Sequence, residues 1–236
     1  MLIRFISDIH SNADALEAVL AHPAGMKADT TFCLGDIVGY GAEPSKCIEI
    51  VKNTCKTIVS GNHDYGVAGK LPLTHFGDYG ATAIEWTRKI LSESEIEWLD
   101  NLPIDAEYED KYLCHSFPSD PESWIYVRER AQAVVACLDK PDKICFIGHT
   151  HLPGCWTADG NYSESQKGDL SRIRLINVGS VGQARDRDPR AAYLLFDTEE
   201  RTWEPHRVEY NVDSAVEKIT SAGLPTWLAE RLYLGN

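Results

Sequence analysis

Apolar residues along this chain fall in short unbroken runs, and between the runs they recur at helical spacing. Residues 2–7 (LIRFIS), 30–35 (TTFCLG) and 56–61 (KTIVSG) have strand length and little polar alternation, the pattern of strands buried on both faces. Between them, residues 12–22 place Ala15, Leu16, Val19 and Leu20 on one helical face. Residues 44–53 do the same with Cys47, Ile48 and Val51, behind a proline at the helix start. A β-α-β-α-β order predicts right-handed crossovers and a parallel sheet. Two more helices are predicted at 78–91 and 92–100, the second opened by a Ser92–Glu95 capping box.

The second half is richer in strands. Residues 106–116 read as a hairpin and 127–138 as a helix. Short strands are predicted at 143–148, 155–159, 172–179, 191–197 and 202–210, an exposed hairpin loop at 159–171 and a helical tail at 212–233. Many short strands after a parallel unit imply a second sheet packed on the first. No linker or repeat divides the chain, so residues 1–236 are expected to form a single α/β domain.

Composition narrows the functional classes. The formal charge is −13, from 23 Lys plus Arg against 36 Asp plus Glu. An acidic chain repels phosphate at long range, so stable nucleic-acid binding is not expected. No apolar run is long enough to span a bilayer, and residues 1–7 do not read as a signal peptide. Seven cysteines without a CxxC read as buried hydrophobes in a reducing compartment, which places the protein in the cytoplasm.

The chemistry gathers where strands end. Asp8-Ile9-His10-Ser11-Asn12, Gly35-Asp36, Gly61-Asn62-His63-Asp64 and Gly148-His149-Thr150-His151 each follow a predicted strand, and His115 ends another. Ligands of parallel α/β sheets bind at the carboxyl ends of strands, so these segments are expected to converge. If the first strand persists, Asp8 and His10 point to one face. The candidate ligands are Asp8, His10, Asp36, Asn62, His115, His149 and His151, too many for one transition metal but suited to two metals sharing a carboxylate. Imidazole, carboxylate and amide without thiolate suit Mn, Fe, Ni, Zn or Co. Two divalent ions outweigh two aspartates, and that local positive excess can hold a phosphate on an acidic protein.

These motifs, spanning residues 8–151, resemble those of the calcineurin-like metallophosphoesterases, in particular the small prokaryotic phosphodiesterase branch. The stretch 177–183 (NVGSVGQ) resembles that family's Gly-Ser turn near the site. The resemblance implies a four-layer α/β/β/α sandwich, two mixed sheets flanked by helices. It assigns Asp8, His10, Asp36 and His151 to one metal and Asp36, Asn62, His115 and His149 to the other, with Asp36 bridging. It makes His63 the proton donor to the leaving oxygen, with Asp64 hydrogen-bonded to it and keeping it charged.

The implied activity is hydrolysis of small phosphodiesters or phosphomonoesters by a metal-bridging hydroxide, manganese being one suitable metal. The implied partner is a small phosphorylated substrate, and homo-oligomerisation is left open. A cyclic-nucleotide phosphodiesterase and a non-catalytic scaffold on the same fold are the alternatives. Two departures stand out. No arginine follows Gly35-Asp36 as in protein Ser/Thr phosphatases, and Ser116 follows His115 where glycine is commoner. Tyr40 is a candidate pocket residue. Arg185, Arg187 and Arg190 offer a phosphate grip, or else pair with Asp186 and Asp188 in a solvated loop. Phe117, Trp124 and Tyr126 read as a stacking lid or as core.

Overall fold

A computed structural model describes residues 1–163 and 173–236. In chain order its elements are β1 (Leu2–Ile6), α1 (Ala13–Ala21), β2 (Thr30–Cys33), α2 (Pro44–Thr54), β3 (Thr57–Ile58), α3 (Asn62–Ala68), α4 (Asp78–Ile90) and α5 (Glu93–Asp100). There follow β4 (Asp105–Tyr108), β5 (Lys111–Cys114), α6 (Arg130–Ala136), β6 (Ile144–Ile147), β7 (Gly154–Thr157), β8 (Tyr162–Ser163) and β9 (Ile173–Asn177). The last are β10 (Ala191–Asp197), β11 (Thr202–Val208), α7 (Val212–Ser221) and α8 (Thr226–Leu234).

One sheet runs β11-β10-β1-β2-β3 and the other β4-β5-β6-β9-β7-β8. Both are mixed. β1, β2 and β3 are parallel, as are β5, β6 and β9, and the outer pairings are antiparallel. Alternate residues of each central strand serve different layers. Ile3 and Phe5 of β1, Phe146 of β6, and Leu194 and Phe196 of β10 fill the space between the sheets. Ile6, Tyr193 and Leu195 face the layer containing Leu16 and Val19 of α1 and Ile48 and Val51 of α2. Cys145 and Ile147 face the layer containing Ala133 and Ala136 of α6. Burial on both faces explains the unbroken apolar runs, and the four-layer sandwich is as expected.

Several boundaries differ from the sequence reading. Residues 62–68, for which no element is predicted from the sequence, form helix α3. The Asp64 carboxylate accepts the Gly61 N–H at 2.9 Å and so satisfies a first-turn amide, a capping role hidden by the strand-turn pattern. The tail is two helices, because Gly223 takes φ +70° and Pro225 then restarts the chain as α8 begins. The helix read at 127–138 is confined to Arg130–Ala136. Of the loop and strand read at 159–171 and 172–179, residues 164–172 lie outside the described residues. Among those described, no helix is long and apolar enough to cross a membrane.

Candidate metal centre

The loops that leave β1, β2 and β6 are laced together beyond the strand ends. Asp8 N donates to Gly35 O at 3.0 Å, His10 N to Asp36 O at 2.9 Å and Ser11 N to Ile37 O at 3.0 Å. From the next loop, Val181 N and Gly182 N donate to Ser7 O and Asp8 O, each at 2.9 Å, and Ser180 Oγ also donates to Asp8 O at 2.9 Å. The NVGSVGQ turn therefore clamps the Asp8 loop. Asp8 also ties the two sheets together, because His149 N donates to its carboxylate at 3.0 and 3.2 Å.

The backbone that does this is strained. Asp8 (φ 52°), His10 (49°), Ser11 (55°), Asp36 (51°), His149 (66°) and His151 (61°) are all left-handed without being glycine. Each such residue costs on the order of 1–3 kcal/mol, and such outliers gather at functional sites. The expectation that Asp8 and His10 share a strand face is therefore incorrect. β1 ends at Ile6, and left-handed turns, not pleating, bring the two together. Glycine is required where loops touch. A Cβ on Gly61 would lie 2.1 Å from Asp36 Oδ1, and one on Gly148 would lie 2.0 Å from Ser7 Oγ.

Six of the seven expected ligands, Asp8, His10, Asp36, His115, His149 and His151, come together, all but fully buried. His151 Nε2 is 3.2 Å from Asp8 Oδ1, His115 Nε2 is 3.3 Å from Asp36 Oδ2 and His10 Nε2 is 3.5 Å from Asp36 Oδ2. Asp8, His10 and His151 form one group able to hold a cation, and Asp36, His115 and His149 form another. His10, Asp36 and His63 form a third, so His63 lies within ligand distance as well. Asn62 Oδ1 is buried and accepts no hydrogen bond among the described residues.

Whether this cluster suits metal ions is decided by the histidines' other nitrogens. His115 Nδ1 faces Leu34 O at 2.7 Å, His10 Nδ1 faces Val38 O at 3.3 Å, His149 Nε2 faces Trp124 O at 2.9 Å and His151 Nδ1 faces Gln183 O. A carbonyl only accepts, so each of these nitrogens carries a proton, and wherever the ring is neutral it presents a bare lone pair from the other. His10 Nε2 and His151 Nε2 then meet 3.2 Å apart, lone pair against lone pair. That contact is repulsive unless a positive centre lies between or beside the two. The donor set fits divalent cations.

Charge agrees. Burial opposes ionisation of Asp8 and Asp36, but His151 and His115 beside Asp8, and His115 and His63 beside Asp36, hold both carboxyls below their ordinary range. Burial pushes His10 well down, His149 to about 3 and His63 to about 4, so these rings are neutral near pH 7. His115 alone goes up, to about 9, because Asp36 and Asp8 outweigh its burial.

Two expectations about His63 need correction. Asp64 does not hold it. The Asp64 carboxylate is consumed by backbone, accepting from Ile37 N at 3.0 Å, Val38 N at 3.2 Å and Gly61 N. Nor does a carboxylate keep His63 charged, since burial outweighs the attraction of Asp36. The imidazole is positioned instead by packing. Tyr40, His10 and Phe76 lie 4.4, 4.8 and 5.1 Å away by ring centroid, and His63 Nδ1 is enclosed without a partner against Gly39. Asp64 braces the Asp36 loop against α3.

Among the substrate candidates, Arg185 and Tyr40 lie at the site and Arg187 and Arg190 do not join them. Arg190 pairs with Asp188 at 2.7 Å, as the solvated-loop reading has it, and Arg187 is exposed. Phe117 is core, whereas Tyr126 stacks on His149 at 3.9 Å and Trp124 supplies that histidine's carbonyl partner.

The profile of the Calcineurin-like phosphoesterase superfamily domain matches residues 1–201. The chain belongs to that superfamily. An uncharacterized protein of Methanocaldococcus jannaschii is 42% identical over 242 residues, covering 100% of this chain and 98% of the relative. The crystal structure of a metallophosphoesterase from Sphaerobacter thermophilus superposes with a TM-score of 0.86 at 36% identity, covering 100% and 99% of the two chains. A symmetrical bis(5'-nucleosyl)-tetraphosphatase of Vibrio cholerae is 25% identical over 160 residues, 64% of this chain and 58% of that protein. All seven ligand candidates of this calcineurin-like chain lie in the matched region. Sequence reasoning missed the four carbonyls that orient the histidines, because a carbonyl leaves no mark in residue type. It also missed Asn177, whose amide donates to Gly148 O and Thr150 Oγ1 beneath the His149–His151 loop.

Proposed function

We propose that the protein is a dinuclear metal-dependent phosphoesterase acting on small phosphodiesters or phosphomonoesters. One observation carries the reading: four imidazoles, each with one nitrogen tied to a backbone carbonyl, turn the other nitrogen toward two buried carboxylates. Asp8, His10, Asp36 and His151 would hold one ion, and Asp36, Asn62, His115 and His149 the other. When bound, such ions acidify a water and neutralise phosphoryl oxygens.

The chain's own groups supply the rest. Asp36 orients the acid-base residue as well as the ions, since its Oδ1 accepts the His63 backbone N–H at 2.8 Å. His63 delivers a proton to the leaving oxygen from Nε2, because Nδ1 is walled in by Gly39. A dianionic phosphate beside the ring opposes the burial that keeps it neutral, so the proton is taken up as substrate binds. Arg185, near His63 and His151, adds positive charge on the side of the site where the substrate enters.

The test is hydrolysis of p-nitrophenyl phosphate and bis-p-nitrophenyl phosphate by protein loaded with Mn²⁺, alongside elemental analysis. Two ions per chain, loss of turnover on chelation, and a fall of at least about a hundredfold in His63→Ala are expected. Turnover that survives complete chelation defeats the proposal.

A further inference from the structure

Beside the centre, two guanidinium groups remain without an Asp or Glu side-chain partner among the described residues. Arg185 and Arg231 lie 6.0 and 5.9 Å from the centroid of the Tyr40 ring, and Tyr40 itself packs 4.4 Å from His63 and 4.6 Å from His10. Arg185 Nη2 donates to Gln183 Oε1 at 3.2 Å, and its Nε is buried with no partner. Arg231 Nε donates to Asn236 O. Neither side chain pairs with an Asp or Glu among the described residues, whereas Arg190 of the same loop pairs with Asp188 and Arg207 of β11 pairs with Asp186.

Arg231 is brought there by design of the carboxyl-terminal helix, which lies beyond the superfamily match. Leu228, Ala229 and Leu232 of α8 are buried against Ala83, Ala215 and Ile219, with Tyr40 packed on the same cluster. Arg187 N donates to Gly235 O at 2.8 Å, so the end of α8 is fastened to the loop that carries Arg185. Two like charges on elements fastened together repel each other, and half-buried guanidiniums lose hydration without gaining an acidic side chain beside them. Consistent with this, burial and the charge of Arg185 push Arg231 down to about 10. A purely structural pair would gain from an acidic neighbour, on a chain with 36 acidic residues to offer.

We infer that Arg185 and Arg231 form a second anion subsite, which takes a further phosphate of the substrate beyond the phosphoryl group held at the metal centre. The substrate class is then a small ester with two phosphates, such as a nucleoside diphosphate. Both forks lie within 6.0 Å of the Tyr40 ring centroid, so one ring borders both. The inference rests on the proposed phosphoesterase reading for its first phosphate site and adds the second.

The experiment compares binding of the α,β-methylene analogue of adenosine diphosphate with that of adenosine monophosphate, by calorimetry on the metal-loaded protein at matched free metal. The native chain is expected to prefer the diphosphate at least tenfold, and Arg231→Gln to cut that ratio below threefold. Arg231→Lys keeps the charge but loses the bidentate fork, and should retain part of the preference. It also carries the test if the Gln variant does not fold. No preference in the native chain, or an unchanged ratio in both variants, overturns the inference. Binding needs no turnover, so a protein that binds diphosphate selectively but hydrolyses no ester would defeat the proposed function and not the subsite.

Discussion

The space between the two sheets and the loops at their edge are built by opposite means. Between the sheets, Phe5 stacks on Phe146 at 4.1 Å, and Phe196 meets Phe146 edge-on at 5.3 Å. These rings lie on regular strands and hold by area removed from water, a non-directional force that tolerates adjustment. At the edge, the same strands run out into left-handed turns. There, position is set by single hydrogen bonds, by glycines in van der Waals contact with carboxylates, and by carbonyls that choose a tautomer. The contrast teaches where stability and function separate. The interior supplies the free energy that the edge consumes as backbone strain and as buried charge.

The hardest way to break the edge is to remove the shared carboxylate. Asp36→Ala should lower metal content and cut turnover by well over about a hundredfold, since even the loss of an outer hydrogen-bond partner costs 10–100-fold in affinity or activity. Elemental analysis and steady-state kinetics check this. Phe146→Ala probes the other region. It should cost about 3–5 kcal/mol of stability in denaturant titration, with metal bound per folded molecule unchanged. If the metal is lost in step with stability, the two regions are not separable.

A subtler probe is Gly61→Ala. The added methyl would meet Asp36 Oδ1 at 2.1 Å, so metal affinity is expected to fall about tenfold or more while the stability loss stays below that of Phe146→Ala. The smallest effect belongs to neither region. Asp110 is partly exposed. Burial opposes its charge, but hydrogen bonds from Lys111 and Arg201 hold its carboxyl down to about 2. A depressed carboxyl stabilises the fold above its ordinary value near 4, and that contribution is lost as pH falls toward 2. Asp110→Asn should therefore cost under about 1 kcal/mol at pH 7 and flatten the acid limb of thermal stability between about pH 4 and 2.

Much of the molecule was legible as written. Runs such as LIRFIS and KICFIG read as strands, and both form strands, β6 buried throughout and β1 from Ile3 onward. Six of the seven candidate donors were visible because imidazole and carboxylate recur after strand ends, and the structure gathers those six. Asp64 was misread because a carboxylate next to a histidine in sequence suggests a partner, whereas in helix α3 adjacent side chains diverge and the backbone amides of Ile37 and Val38 were nearer. Arg231 was invisible because nothing in its local sequence marks it.

By itself, the order of residues determined the strands, the helices that cover them and the kinds of atoms available for chemistry, since periodicity and composition are local properties. Tertiary structure alone decided which nitrogen of each histidine is bare, which arginines go unpaired and which backbone bends left-handed. Those outcomes depend on what a distant loop places within three ångströms or so, the range over which a hydrogen bond acts.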